Sequence, residues 1–354
     1  MIRPDLPHAF VAPMLTAPQT TRHVGAALPI FLLFMLIASP VRGDVQQENQ
    51  NVALESSSSA PSVILPSAQR ECGSDDRLWL ISTRSLPTQT CRAELDHPLD
   101  SVSRLSTCGR SESSSLEEYF ATLSPDRPVV VYVHGNRLNG GEAIQRSMTV
   151  YRTISAWRCA EPIDWVLFSW PASVSGHLLR DARVKAERTD AQGLYLAWLL
   201  RRHHEAALNT AVIGYSFGGR IATGSLHAMA GGALGRRALP GPPVIGANID
   251  LGLMAPAIDS NWMATRGYHG QSTKNLERLV LLYNRRDAVL KRYWLLNKMR
   301  GRMALGYTGP RTLAPRVDGS KVPVRSRDCA RFIGLAHGEL DYYQSRCRAG
   351  SIAD

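Results

Sequence analysis

Cysteine is scarce, with six in 354 residues. None forms a Cys-x-x-Cys pair or a cluster with histidine, so a disulfide-only scaffold is excluded and no metal-ligand pattern is present. No Gly-x-Gly-x-x-Gly follows an apolar run, which removes the main support for a dinucleotide cofactor. No zinc-finger, helix-turn-helix or phosphate-loop signature occurs, so nothing but charge points toward nucleic acid. No segment repeats at a fixed period, which excludes solenoids and arrays. Charged residues make up only 20% against 44% apolar ones, which excludes global disorder and leaves ample material for a core.

Acidic residues are in deficit, 30 against 41 Lys plus Arg, for a net charge of +11. That balance suits plain solubility, and it equally favours anionic partners such as membrane headgroups or envelope polymers. Arg22 and His23 precede Val24–Val41, 18 residues without a charge and with a dense apolar centre at Leu28–Ile37. This is the pattern of a secretory signal peptide, with Val41-x-Gly43 as a cleavage site before Asp44. The run also reaches the length of a bilayer span, so residues 1–43 read as a signal peptide or an N-terminal membrane anchor. Either way the product is exported, periplasmic or secreted. Residues 44–77, which include the Ser56–Ser59 run, lack any apolar period and read as a disordered polar linker. Residues 78–354 then form the folded domain.

Within that domain, Val129–Val133, Trp165–Phe168, Ala211–Ile213 and Leu279–Tyr283 are continuous apolar runs, as interior strands of a parallel sheet require. Val244–Ile249 reads as a fifth strand. Helical patterns fall between them: Ala191, Leu194, Tyr195 and Trp198 share one face, and Gly218–Ala230 and Ala288–Met299 read as helices. Ser114-x-x-Glu117 predicts a capping box that opens a short helix. Strands alternating with helices predict an α/β domain whose sheet is covered on both faces.

The chemistry is carried by Gly214-Tyr-Ser216-Phe-Gly218, a Gly-x-Ser-x-Gly segment between a strand-like run and a helix-like one. That context suits a nucleophile elbow, where a serine projects from a sharp turn at a helix N-terminus. Val129–Val133 followed by His134-Gly135-Asn136, about 80 residues earlier, matches a strand and loop that supply half of an oxyanion hole. The predicted donors are the backbone N–H groups of Asn136 and Phe217, with His134 as a structural residue of the loop. A serine needs a base, and the base an orienting acid, in the chain order Ser, acid, His. Asp287, just past Leu279–Tyr283, is the predicted acid, and Asp250, past Val244–Ile249, is its competitor. His337 is the one histidine after Asp287 and therefore the predicted base.

Cys329 and Cys347 bracket His337, and a bond between them would constrain this loop by about 3 kcal/mol in the chain-entropy model. Six cysteines admit 15 pairings, among which the sequence does not choose. Residues 284–302 carry seven basic side chains and the single acidic Asp287, with Trp294, Leu295 and Leu296 among them. The stretch has two readings, an ordinary solvated face and a contact with an anionic membrane or envelope surface.

The set Ser82-Thr-Arg84, Val131-Tyr-Val-His-Gly-Asn136, Phe168-Ser-Trp-Pro171, Gly214-Tyr-Ser-Phe-Gly-Gly219, Asn248-Ile-Asp250, Tyr283-Asn-Arg-Arg-Asp287 and His337 resembles an uncharacterised bacterial esterase/lipase-like branch of the α/β-hydrolase superfamily. The resemblance spans about 78–345. It implies the α/β-hydrolase fold, a Ser216, Asp287, His337 triad and hydrolysis of a carboxylic ester or related acyl substrate, small or lipid-like. No metal or organic cofactor enters that chemistry. The alternative is a catalytically silent binding or envelope-associated protein that kept the fold.

Overall fold

Continuous apolar runs become the middle of a nine-stranded sheet. The computed structural model describes residues 75–157, 161–297 and 301–344, together with 347 and 349. The signal or anchor segment and almost all of the expected linker lie outside the described residues. The strands are β1 (Arg77–Ser82), β2 (Val102–Leu105), β3 (Ser111–Ser114), β4 (Val129–Val133), β5 (Asp164–Ser169), β6 (Thr210–Tyr215), β7 (Ile249–Met254), β8 (Leu276–Tyr283) and β9 (Val324–Asp328). Their order across the sheet is β3-β2-β1-β5-β4-β6-β7-β8-β9. The β1–β2 and β2–β3 pairs are antiparallel, and every other pair is parallel. All six residues of β5 and four of the five in β4 are buried, so the centre of the sheet is covered on both faces, as its unbroken apolar runs require.

The cover comes from α1 (Leu116–Thr122), α2 (Gly140–Trp157), α3 (Leu178–Glu205) and α4 (Phe217–Met229). Ala191, Leu194, Tyr195 and Trp198 are all buried on α3, which packs along α4. Every residue of α4 is buried. The edges are polar by contrast: β3 reads Ser-Glu-Ser-Ser and β9 Val-Arg-Ser-Arg-Asp, charged or small side chains that discourage pairing with another chain. Among the described residues no helix is long and apolar enough to cross a membrane.

Four expectations are corrected. Val244–Ile249 is not a strand: Gly246 and Asn248 stand at φ 82° and 52°, which breaks extended backbone, and β7 begins only at Ile249. The capping residue of α1 is Ser115, whose hydroxyl accepts from the Glu118 N–H, one position later than the expected box. The described part of Ala288–Met299, residues 288–297, is not one helix but a 3-10 turn at Leu290–Arg292 and a short helix at Trp294–Asn297, and its last two residues lie outside the described ones. The folded domain also starts before residue 78. Asp76 accepts from the Tyr151 hydroxyl and the Ile163 N–H, and Arg77 opens β1.

Arg77 shows why the domain needs that start. Its guanidinium grips the fully buried Asp164 carboxylate through two bonds of 2.5 and 2.7 Å, with Arg127 farther off at 3.9 Å. Removing one partner of such a pair leaves a buried charge without compensation. Arg77→Ala is expected to lower unfolding free energy by about 3 kcal/mol, read from the urea midpoint. An unchanged midpoint would mean that Arg127 alone suffices.

Candidate active site

The glycines flanking Ser216 permit a turn that other residues would block. Ser216 stands at φ 50° and ψ −112°, a conformation that L side chains rarely adopt. Three backbone bonds hold it: Ser216 N–H donates to Met254 O at 3.0 Å, and Ser216 O accepts from Gly219 at 3.1 Å and Ala257 at 3.0 Å. A Cβ on Gly214 would lie 2.8 Å from Gly218 O, and one on Gly218 would collide with the Val133 carbonyl. The turn therefore sits directly against the end of β4.

His337 and Asp287 reach this turn from two loops beyond the C-terminal ends of β8 and β9. Ser216 Oγ and His337 Nε2 are 3.0 Å apart, and His337 Nδ1 and Asp287 Oδ2 are 2.6 Å apart. Asp287 is fully buried, and its other oxygen accepts from the Val289 and Leu290 N–H groups at 2.9 and 2.8 Å. With that oxygen fixed, Oδ2 can only accept from Nδ1–H, which leaves Nε2 as the acceptor for the serine hydroxyl. The arrangement is a relay that can take a proton from Ser216.

Asp250 is brought nowhere near His337. It is the second residue of β7, not the residue after a strand, and it pairs with Arg278 at 2.9 Å. Register places Met254 beside Tyr215, so Asp250 lies about 13 Å back along the strand at about 3.3 Å per residue.

The loop after β4 lies alongside the turn. A Cβ on Gly135 would stand 2.6 Å from the Tyr215 ring and 3.6 Å from Ser216 Cβ, so the backbone at 135–136 passes close to the serine. Phe217 is the first residue of α4, and its N–H has no acceptor within the helix. His134 is buried, stacks on Trp170 with centroids 5.7 Å apart, and accepts the Trp170 N–H through Nε2 at 3.2 Å. Burial pushes its pKa down to about 3, so the ring is a neutral strut. Arg84 fastens the same loop, with bonds to Ser169 Oγ (2.8 Å), Leu138 O (3.1 Å) and Asn139 O (3.2 Å).

Several residues that shape the site had no assigned role in the sequence. The Tyr215 hydroxyl donates to His337 O at 2.5 Å, and Asn284 Nδ2 donates to Gly334 O at 2.9 Å and Ala336 O at 3.3 Å. Glu339 accepts from Tyr132 and Arg146. Tyr215 and Asn284 lie inside quoted motifs, and their positions at strand ends were the available signal. Glu339 had none, because its partners are 207 and 193 residues away. Cys329 and Cys347 are both buried with their thiols close enough to interact, and no disulfide joins them. Among the described residues no group of three His, Cys, Asp or Glu side chains is placed to hold a metal ion.

The turn's tolerance is directly testable. Gly218→Ala is expected to lower the thermal midpoint sharply, because backbone rather than a flexible side chain must move. A variant that melts like the wild type would show that β4 and the elbow are not in this contact.

Residues 111–314, more than half of the chain, match the model of a family described as alpha/beta hydrolase of unknown function (DUF900). The matched span holds Ser216 and Asp287 and ends before His337. No curated protein matches the chain by sequence. Among solved structures the chain is similar to an inhibited esterase B from Lactobacillus rhamnosis, at 13% identity, over 79% of this chain and 85% of that one, with a TM-score of 0.36. It is also similar to a thermophilic esterase from the planctomycete Thermogutta terrifontis with propionate bound, at 11% identity, over 66% and 84%, with a TM-score of 0.33. With its mostly parallel sheet, its glycine-flanked serine turn and the family match, the chain belongs to the α/β-hydrolase family of unknown function.

Proposed function

We propose that the protein is an exported serine hydrolase that cleaves a carboxylic ester, or a related acyl substrate, through a covalent acyl-enzyme. The observation that carries this reading is the unbroken chain from Ser216 Oγ to His337 Nε2 at 3.0 Å and from His337 Nδ1 to Asp287 Oδ2 at 2.6 Å. Ser216 attacks the carbonyl carbon while His337 takes its proton. The same imidazolium then protonates the leaving alcohol. Water, activated in turn by His337, attacks the acyl-Ser216 ester and releases the acid. Asp287 keeps the imidazole in the required tautomer and stabilises it when charged.

The amides of Asn136 and Phe217 hold the oxyanion formed in each step. Fixed donors of this kind are worth about 2.7–4 kcal/mol each, because they need no reorganisation as charge develops. Export rests on the Val24–Val41 run behind Arg22 and His23. The exposed Arg285, Arg286 and Lys291 beside exposed Trp294 suit an anionic, lipid-like substrate surface.

Turnover of a short-chain p-nitrophenyl ester tests the proposal. Ser216→Ala and His337→Ala are expected to reduce kcat by about 10⁴-fold or more, Asp287→Asn by about 10⁴-fold, and Asp250→Asn to leave it unchanged. Wild-type turnover no faster than that of Ser216→Ala would replace the enzyme with a catalytically silent binding protein. For export, the first residue of the mature chain is expected to be Asp44 by N-terminal sequencing, whereas an intact N-terminus would indicate a retained anchor.

A further inference from the structure

A carboxyl group lies buried two residues beyond the proposed base. Glu339 is 1% exposed at the start of the short helix Glu339–Gln344. The Tyr132 hydroxyl donates to both of its oxygens, at 2.9 and 3.0 Å, and Arg146 Nη1 donates to Oε2 at 3.3 Å. These partners come from separate elements. Tyr132 is the fourth residue of β4, two before His134, and Arg146 lies on α2, which follows the oxyanion loop. Tyr132 is itself fixed by stacking on Trp165, with centroids 5.7 Å apart and planes 18° off parallel. The Tyr215 hydroxyl in turn holds His337 O at 2.5 Å. One carboxyl thus ties the His337 turn to the strand that leads to the proposed Asn136 donor.

We propose that Glu339 is the positioning residue for His337, fixing the imidazole relative to the oxyanion loop. The inference rests on the reading of His337 as the general base. A neutral apolar side chain would fill this space at less cost, since a buried carboxylate must be matched by donors. The donors are present, so the geometry is that of a built clamp. The titratable and charged groups facing Glu339 are Tyr132 from β4, Arg146 from α2, Tyr215 from β6, and His337 and Tyr343 from its own segment. Burial pushes the Glu339 carboxyl up to about 7, while Arg146 and the Tyr132 hydroxyl favour its charged form.

In the full-length protein, Glu339→Gln is expected to lower kcat/KM for the p-nitrophenyl ester about 10- to 100-fold, almost entirely through kcat, with KM within about twofold of the wild type. A well-folded Glu339→Gln with wild-type kcat/KM overturns the proposal. A slow variant whose loss falls on KM also overturns it, since that marks a merely structural residue.

If Glu339→Gln does not fold, Tyr132→Phe removes only the hydroxyl. It is expected to lower kcat several-fold and to speed amide hydrogen exchange at residues 334–338. Wild-type behaviour on both counts overturns the clamp. Failure of the underlying reading looks different: the wild type would then turn over no faster than Ser216→Ala.

Discussion

The backbone turn at Ser216 is the constraint on which the rest of the site depends. Its positive φ is unfavourable for a serine, of the order of 1–3 kcal/mol. Bonds to Met254, Gly219 and Ala257 offset that cost, and two of those partners belong to β7 and the loop after it. The turn can therefore exist only when β6 and β7 are paired in register. Gly218 and Val133 must also touch, which locks the loop after β4 to the same frame. Local strain, strand pairing and a close backbone approach thus secure one another.

The parallel sheet explains why side chains so distant in sequence meet. β4, β6, β8 and β9 run in the same direction, so the segments that follow them emerge at one edge. The chain reverses direction across the sheet at β4, with β5 to one side of it and β6 to the other, and the serine turn and the loop after β4 lie beside that point. Asp287 and the His337 segment arrive from the β8–β9 side, and polar contacts then refine their positions. Asn284 holds the carbonyls at Gly334 and Ala336, Tyr215 holds the carbonyl of His337, and Glu339 anchors the residues just beyond. Among the described residues the imidazole's hydrogen bonds go to Ser216 and Asp287, the Tyr215 ring packs on it at 5.4 Å, and its segment is fixed through the main chain.

What was legible in the sequence divides along physical lines. Strands buried on both faces announce themselves as apolar runs, and β4, β5, β6 and β8 were read close to their true limits. β2, β3 and β9 are edge-side strands rich in Ser, Arg and Glu, and no periodicity marks them. β7 was placed five residues early, because Val244 and Ile245 resemble a strand start while positive φ at Gly246 and Asn248 prevents one. That shift alone made Asp250 look like a residue at the working edge of the sheet. Ser216, Asp287 and His337 could be picked out by motif and chain order, which are one-dimensional properties. The contacts of Glu339 with Tyr132 and Arg146 are purely three-dimensional, so no local pattern could disclose them.

The central claim is that Ser216 is an activated nucleophile. It is tested most directly by mass spectrometry of the protein after exposure to a fluorophosphonate. The account predicts a single adduct per chain, on the peptide that contains Ser216. No adduct on the folded protein, or one carried by another residue, would contradict it.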